Sequence, residues 1–142
     1  MRRRLGPLVA ILVGALSATG ALEAAENAGA KACLTDPSPD KRITSCSKLI
    51  EAHPKQDSSI AWIFAQRGNA YFIKGQVDKA IQDYDSAVAL DPTNDTALAN
   101  RGIAHLTQGK ADLAMNDYTA ALRANPKNAN SYNLRGLLYF RS

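Results

Sequence analysis

The sequence predicts an all-α fold in which helical hairpins repeat along the chain. The dipeptide Arg-Gly begins at Arg67, Arg101 and Arg135, which are 34 residues apart (101 − 67 = 135 − 101). Each complete interval holds an apolar helical pattern, a break at Gly75 or Gly109, a second helical pattern and a proline that cannot continue it. A period of this length with one internal break is typical of two helices per unit.

The repeat resembles the tetratricopeptide repeat, whose signature combines small residues, aromatic residues and a closing proline. In residues 61–94 the signature positions are matched by Phe64, Gly68, Tyr71, Ala80, Tyr84, Ala87 and Pro92. In residues 95–128 they are matched by Leu98, Gly102, Ala114, Tyr118, Ala121 and Pro126. Arg101 and His105 depart from the usual Leu and Tyr. The resemblance implies an α–α superhelix, which is a solenoid of such hairpins.

Residues 1–21 have the composition of a secretory signal peptide. Three arginines at positions 2–4 precede an uncharged stretch from Leu5 to Leu22, which is the pattern that a translocon recognises. Small residues place cleavage after Gly20 or Ala21. The alternative is an uncleaved membrane anchor, although Gly, Pro, Ser and Thr dilute the hydrophobicity of this stretch. We therefore expect a periplasmic or secreted bacterial protein, in contact with a membrane only if this segment stays attached.

The charge of the mature chain gives no support for a nucleic-acid-binding protein. Removing residues 1–21 takes away three of the 17 basic residues and none of the 13 acidic ones. The formal net charge therefore falls from +4 to +1 (14 − 13). A nucleic-acid footprint needs lysine and arginine clustered on one face, so no nucleic-acid partner is expected.

Residues 22–56 are predicted to form a degenerate hairpin before the first complete unit. His53-Pro54 resembles the end of a unit, and this alignment with the family places Cys33 and Cys46 at the aromatic positions of the first and second helix. An even cysteine count in a secreted protein favours a disulfide, so we expect a Cys33–Cys46 bridge that caps the array. The alternative makes Cys46 a nucleophile beside His53, but no acid or oxyanion loop accompanies them.

The C-terminal segment, residues 129–142, repeats only the first helix of a unit. Leu137 and Phe140 would then have no following helix to cover them, whereas repeat arrays normally end in a polar cap. Three explanations remain open from the sequence: a chain truncated from a longer array, self-association through this end, and docking of a partner's helix.

Repeated charges predict a ladder of ion pairs. Arg67, Arg101 and Arg135 occupy a position that is usually apolar, and each complete unit also carries Asp83 or Asp117 beside the aromatic residue of its second helix. We expect pairs such as Arg67 with Asp83, or Asp83 with Arg101 across units. Their role would be to set register rather than to add stability, and the alternative is independently solvated charges.

The resemblance also implies a concave groove, lined by the first helices, that binds extended or helical segments of partner proteins. The groove residues that we assign are Trp62, Asn69, Phe72, Ile73, Asn100, Ile103, Leu106, Asn133 and Leu137. Trp62, Phe72 and Asn69 are the predicted hot spots, because aromatic side chains beside amides are common interface anchors. Packing against the N-terminal unit is the alternative role of Trp62.

A clamp for a partner's C-terminal carboxylate, of the kind that this family uses in chaperone binding, is not expected. Such a clamp needs two asparagines and three basic residues. Asn69 and Asn100 match the asparagines, but Ala65, Asn130 and Leu134 occupy the basic positions. Shape and apolar contact are therefore expected to decide what the groove binds.

These patterns together predict a protein-interaction module of the cell envelope and no enzyme. His53 and His105, the only histidines, have no His or Cys at ligand spacing, and neither a phosphate loop nor a catalytic constellation is visible. No metal, cofactor or small-molecule substrate is expected. The alternative function is a structural unit that self-associates through residues 129–142.

Overall fold

The computed structural model describes residues 27–140, and the predicted signal peptide lies outside them. Within this range the chain is helical and contains no β-strand. The helices are α1 (described over 27–35), α2 (Pro39–Ala52), α3 (Ala61–Ile73), α4 (Val77–Leu90), α5 (Asp95–Thr107), α6 (Ala111–Ala124) and α7 (Ala129–Tyr139), with a 3-10 turn at Ser58–Ile60. Each helix from α2 to α7 packs on its neighbours in sequence, and α3 also contacts α5. The expected all-α solenoid is thus confirmed.

Short polar signals determine where the helices begin and end. Asn94 caps α5 through a hydrogen bond from the Ala97 amide to its side chain, 2.9 Å long, and Asn128 does the same for α7. Gly75 and Gly109, with φ of 73° and 74°, turn the chain inside the two complete hairpins. A left-handed backbone at these positions favours glycine, because other residues meet a steric penalty there.

The tightest packing within each complete hairpin lies between a glycine and a tyrosine ring. Gly68 of α3 faces the ring of Tyr84 in α4, and Gly102 of α5 faces Tyr118 in α6. Both tyrosines are buried. Since no side chain stands at the glycine, the two helices approach closely enough for the ring to lie across the opposite backbone.

The N-terminal hairpin is held by a disulfide between Cys33 in α1 and Cys46 in α2. Both cysteines are fully buried and share a core with Ile60 and Ile63. This hairpin packs on the first complete unit through α2 and α3. The bridge therefore lies in the core that joins residues 27–52 to the repeats.

The repeated charges form ion pairs within each unit. Arg67 donates from Nε and Nη2 to the two carboxylate oxygens of Asp83, both at 2.8 Å, and Arg101 makes the same contact with Asp117 through hydrogen bonds of 2.6–3.2 Å. Both aspartates are only 5% exposed. The hydrogen bond with Asp83 raises the pKa of Arg67.

Of the two alternative pairings expected for Asp83, the one with Arg67 is formed, and the one with Arg101 across units is wrong. Arg101 instead reaches Asp85, which accepts from Nη1 at 2.7 Å, while Arg67 donates across units to Ser47 at 3.0 Å. The reason is that Arg67 of the same unit already occupies both carboxylate oxygens of Asp83. Each guanidinium therefore bridges its own unit and the preceding helix.

We expect Gly68→Ala to destabilise the fold relative to Gly136→Ala. A Cβ at position 68 would lie 2.8 Å from Tyr84 Cε1 and 3.2 Å from the Ala80 carbonyl oxygen, whereas one at position 136 meets nothing within 4 Å. Both changes gain about 1 kcal/mol of helix propensity, but overpacking at position 68 costs about 1–3 kcal/mol. Urea unfolding of both variants measures the difference, and equal stabilities would contradict the close-packing account.

A double-mutant cycle tests the ion pairs. Arg101→Leu and Asp117→Leu are expected to couple by about 1–3 kcal/mol in urea unfolding, because removing one partner leaves a buried charge unpaired. Arg101→Leu and Asp85→Leu are expected to couple by less than about 1 kcal/mol, because the Asp85 side chain is 57% exposed. If the changes in unfolding free energy for Arg101→Leu and Asp117→Leu are additive, the buried contact does not couple the two residues.

Candidate functional site

A cavity of about 370 Å³ opens between the first two complete units and the N-terminal hairpin. The residues that line it are Arg42, Asn69, Phe72, Ile73, Tyr84, Asn100 and Ile103. The structure thus brings five predicted groove residues together from α3 and α5. Arg42 alone is charged among the described lining residues, and the apolar part of the lining comes from one phenylalanine and two isoleucines.

The polar part of the cavity is a fixed pair of amides. The Tyr84 hydroxyl donates to Asn69 Oδ1 at 2.8 Å, and Asn100 Nδ2 donates to the same oxygen at 2.9 Å. Burial raises the pKa of Tyr84 above the usual tyrosine value, so this hydroxyl stays a donor over an even wider pH range than an exposed tyrosine does. Among residues 27–140, nothing accepts from Asn69 Nδ2 or donates to Asn100 Oδ1. The pair therefore offers the N–H groups of Asn69 as donors and the side-chain oxygen of Asn100 as an acceptor, the two kinds of group that a peptide bond pairs with.

This amide pair is not repeated in the second unit. The 34-residue shift carries Tyr84 onto Tyr118 but Asn69 onto Ile103 (69 + 34 = 103). The Tyr118 hydroxyl is consequently buried without a hydrogen-bond partner among the described residues. The polar contact of the groove is therefore confined to the boundary between the first and second complete units.

Two lining residues were not among the predicted groove residues: Tyr84, which the sequence assigned to packing, and Arg42, which it did not single out. Arg42 lies in α2, where its Nε donates to the Cys33 carbonyl oxygen at 3.2 Å and its Nη2 donates to Gln66 Oε1 at 2.9 Å. A shift of 38 residues carries Cys46 onto Tyr84 and also carries Arg42 onto the small residue Ala80 (42 + 38 = 80). The sequence did hold a signal for Arg42: a long cationic side chain stands where the first complete unit has a small alanine.

Four of the predicted groove residues lie elsewhere. Trp62 lines a separate cavity of about 210 Å³ with Leu49 and His53, where it packs against the N-terminal hairpin, so its alternative role is the one that the structure supports. Leu106 is half-buried, while Asn133 and Leu137 are exposed on α7. None of these three lines the cavity at Asn69.

Residues 27–140 show neither a metal-binding cluster nor a membrane-spanning helix. No three His, Cys, Asp or Glu side chains in this range group so as to hold a metal ion. No helix in the same range combines the length and the apolarity needed to cross a membrane. His105 fills the usual tyrosine position, where its Nε2 lies 3.7 Å from Asp117 Oδ2.

Comparison with known proteins identifies the repeat. A family model described as TPR repeat matches residues 68–109 and 106–142. The chain is similar in structure to MamA, with 24% identity and a TM-score of 0.66 over 72% of this chain and 58% of that one, so it spans less than two thirds of that protein. No match was found among curated proteins.

Two further solved structures match over most of their own length. The first TPR of Spaghetti (RPAP3), bound to the HSP90 peptide SRMEEVD, has 24% identity and a TM-score of 0.72 over 83% of this chain and 90% of that one. The TPR domain of Arabidopsis OM64 has 21% identity and a TM-score of 0.71 over 89% and 98%. At these identities the likeness shows a shared fold.

The matched tyrosines give a test of the amide pair. We expect Tyr84→Phe to lower the free energy of unfolding by about 0.5–1.5 kcal/mol, because the Asn69 oxygen loses a buried donor. Tyr118→Phe is expected to leave stability unchanged or raise it, because its hydroxyl has no described partner. Thermal or urea unfolding compares the two, and an equal loss in both variants would contradict the asymmetry of the groove.

Proposed function

The chain belongs to the tetratricopeptide-repeat family, and we propose on this premise that it is a protein-interaction module that binds a segment of a partner protein in its groove. The observation that carries the proposal is the cavity at Asn69. Its amide donor and acceptor match a peptide group, and its apolar lining matches a side chain. The proposed activity is binding, and no catalytic step is assigned to the site.

A related fold supports the same use of the groove. The structure of the first TPR of Spaghetti (RPAP3) is of a complex with the HSP90 peptide SRMEEVD. In this chain the basic positions of a carboxylate clamp hold Ala65, Asn130 and Leu134. The proposed ligand is therefore an internal segment of a protein rather than its C-terminal carboxylate.

The proposed place of action is the cell envelope, with the protein periplasmic or secreted. Two features support this proposal. The first is the signal-like pattern of residues 1–21, and the second is the buried disulfide between Cys33 and Cys46. Structural disulfides form and persist in oxidising compartments such as the periplasm.

A second candidate function is self-association through α7. The observation that favours it is the exposure of Leu137 and Phe140, which are 62% and 94% accessible. Leu137 lies in α7 and Phe140 directly follows its last residue, and large exposed apolar patches mark interaction surfaces in proteins. A second copy would cover them by packing against the same helix.

Site-specific photo-crosslinking in cells tests both functions. A benzoylphenylalanine at position 72 or 103 is expected to give a partner adduct, because both side chains line the cavity. The matched control is position 113, since Leu113 is 44% exposed on α6 and outside that cavity. A probe at position 140 that yields an adduct of twice the chain mass would favour the second candidate.

The outcomes separate the parts of the proposal. Adducts at 72 and 103 but not at 113, found in the envelope or exported fraction, support groove binding outside the cytoplasm. Equal adducts at all three positions, or none at 72 and 103, would exclude the groove as the binding site. Adducts confined to cytoplasmic proteins would exclude export.

A further inference from the structure

We propose that the groove selects segments that carry an acidic side chain beside an apolar one, with Arg42 as the ion-pair partner of the acid. The inference rests on the proposed function, since it names the chemistry of the segment bound at the same cavity. It depends on Arg42 of the N-terminal hairpin, which lines the same cavity as Asn69 and Phe72 of the first complete unit and whose guanidinium is held by Cys33 and Gln66.

Arg42 has no ion-pair partner among the described residues, unlike Arg67 and Arg101. Arg67 and Arg101 each bind buried carboxylates through two or more hydrogen bonds. Arg42 has no carboxylate partner among residues 27–140, since its acceptors are the Cys33 carbonyl and the Gln66 side-chain amide. A half-buried guanidinium that faces only neutral acceptors favours the arrival of an anion.

Two residues that line the cavity carry N–H donors with no acceptor among the described residues. Two of the Arg42 nitrogens are occupied, and Nη1 donates to nothing in the described part of the chain. Asn69 Nδ2 is the second donor without a described acceptor. Both hydrogen bonds of the Asn69 side chain are received by its oxygen, from Tyr84 and Asn100. A carboxylate accepts at two oxygens, and charge-assisted hydrogen bonds from arginine are among the strongest that proteins make.

The apolar lining of the cavity accounts for the second preference, an apolar side chain beside the acid. Ile73 is 62% exposed, and Phe72 and Ile103 complete the apolar part of the same cavity. An apolar side chain of the partner gains by leaving water here, while a basic segment would be repelled by Arg42. The occupant that satisfies both parts is a protein segment in which aspartate or glutamate neighbours an aliphatic or aromatic residue.

Selection from a displayed library of random peptides on the disulfide-bonded protein tests this inference. We expect the selected peptides to be enriched in Asp or Glu beside an apolar residue. Arg42→Gln is expected to weaken their binding about tenfold, the scale of one charge-assisted hydrogen bond. The matched control is Lys41→Gln, which removes the same charge from the adjacent position of α2. Lys41 does not line the cavity, so this variant is expected to bind the selected peptides as tightly as the natural chain does.

A peptide change completes the cycle without relying on the stability of a protein variant. Replacing the selected acid by its amide, Glu by Gln, is expected to lower affinity for the natural chain about tenfold and to cause no further loss on Arg42→Gln. High salt is expected to weaken the binding of the acidic peptide to the natural chain more than its binding to Arg42→Gln. The role of Arg42 would be overturned if the selected peptides were not enriched in Asp or Glu. Equal affinity of an acidic peptide for the natural chain and for Arg42→Gln would overturn it as well.

The same selection distinguishes this inference from the function on which it rests. Peptides that bind without an acid, and are lost on Phe72→Ala, would overturn the charge preference and leave groove binding in place. A failure to select any peptide would count against both. Equal weakening by Lys41→Gln and Arg42→Gln would indicate a general charge effect and would also overturn the proposal.

Discussion

The close approach of a glycine and a tyrosine ring inside each complete hairpin is the constraint on which the rest of this structure depends. Gly68 lets the ring of Tyr84 lie across α3, and this position brings the Tyr84 hydroxyl to Asn69 at the edge of the groove. The same contact therefore sets the helix spacing and orients the amide of Asn69, which lines the cavity. Tyr84 therefore serves the packing through its ring and the polar contact at the cavity through its hydroxyl.

Arginines serve two different purposes in this chain, and the difference lies in their surroundings. Arg67 and Arg101 face carboxylates that are almost fully buried, so their charges are neutralised inside the protein. Such pairs add little net stability because desolvation offsets the attraction, but they tie each unit to the helix before it. Arg42 meets only neutral oxygens beside an open cavity. Its charge is consequently available to a ligand.

The period of the sequence was enough to predict the helices, because equivalent positions 34 residues apart carry the same small, aromatic and breaking residues. It also brought Asn69, Phe72 and Ile103 to one groove. It did not show how far long side chains reach: Arg101 contacts Asp85 rather than Asp83, and Trp62 packs on the N-terminal hairpin. The repeat period shows which backbone positions correspond between units. It does not show the side-chain contacts between units, because these depend on rotamers and on which acceptors are already occupied.

The degenerate hairpin shows why departure from a repeat carries information. Cys33 and Cys46 replace the two aromatic residues that would otherwise fill the hairpin, and a covalent bond takes over their role in holding α1 to α2. With less bulk between the helices, the position equivalent to Ala80 accommodates Arg42, whose Nε is held by the carbonyl of Cys33 itself. The disulfide and the cation of the groove therefore belong to one arrangement.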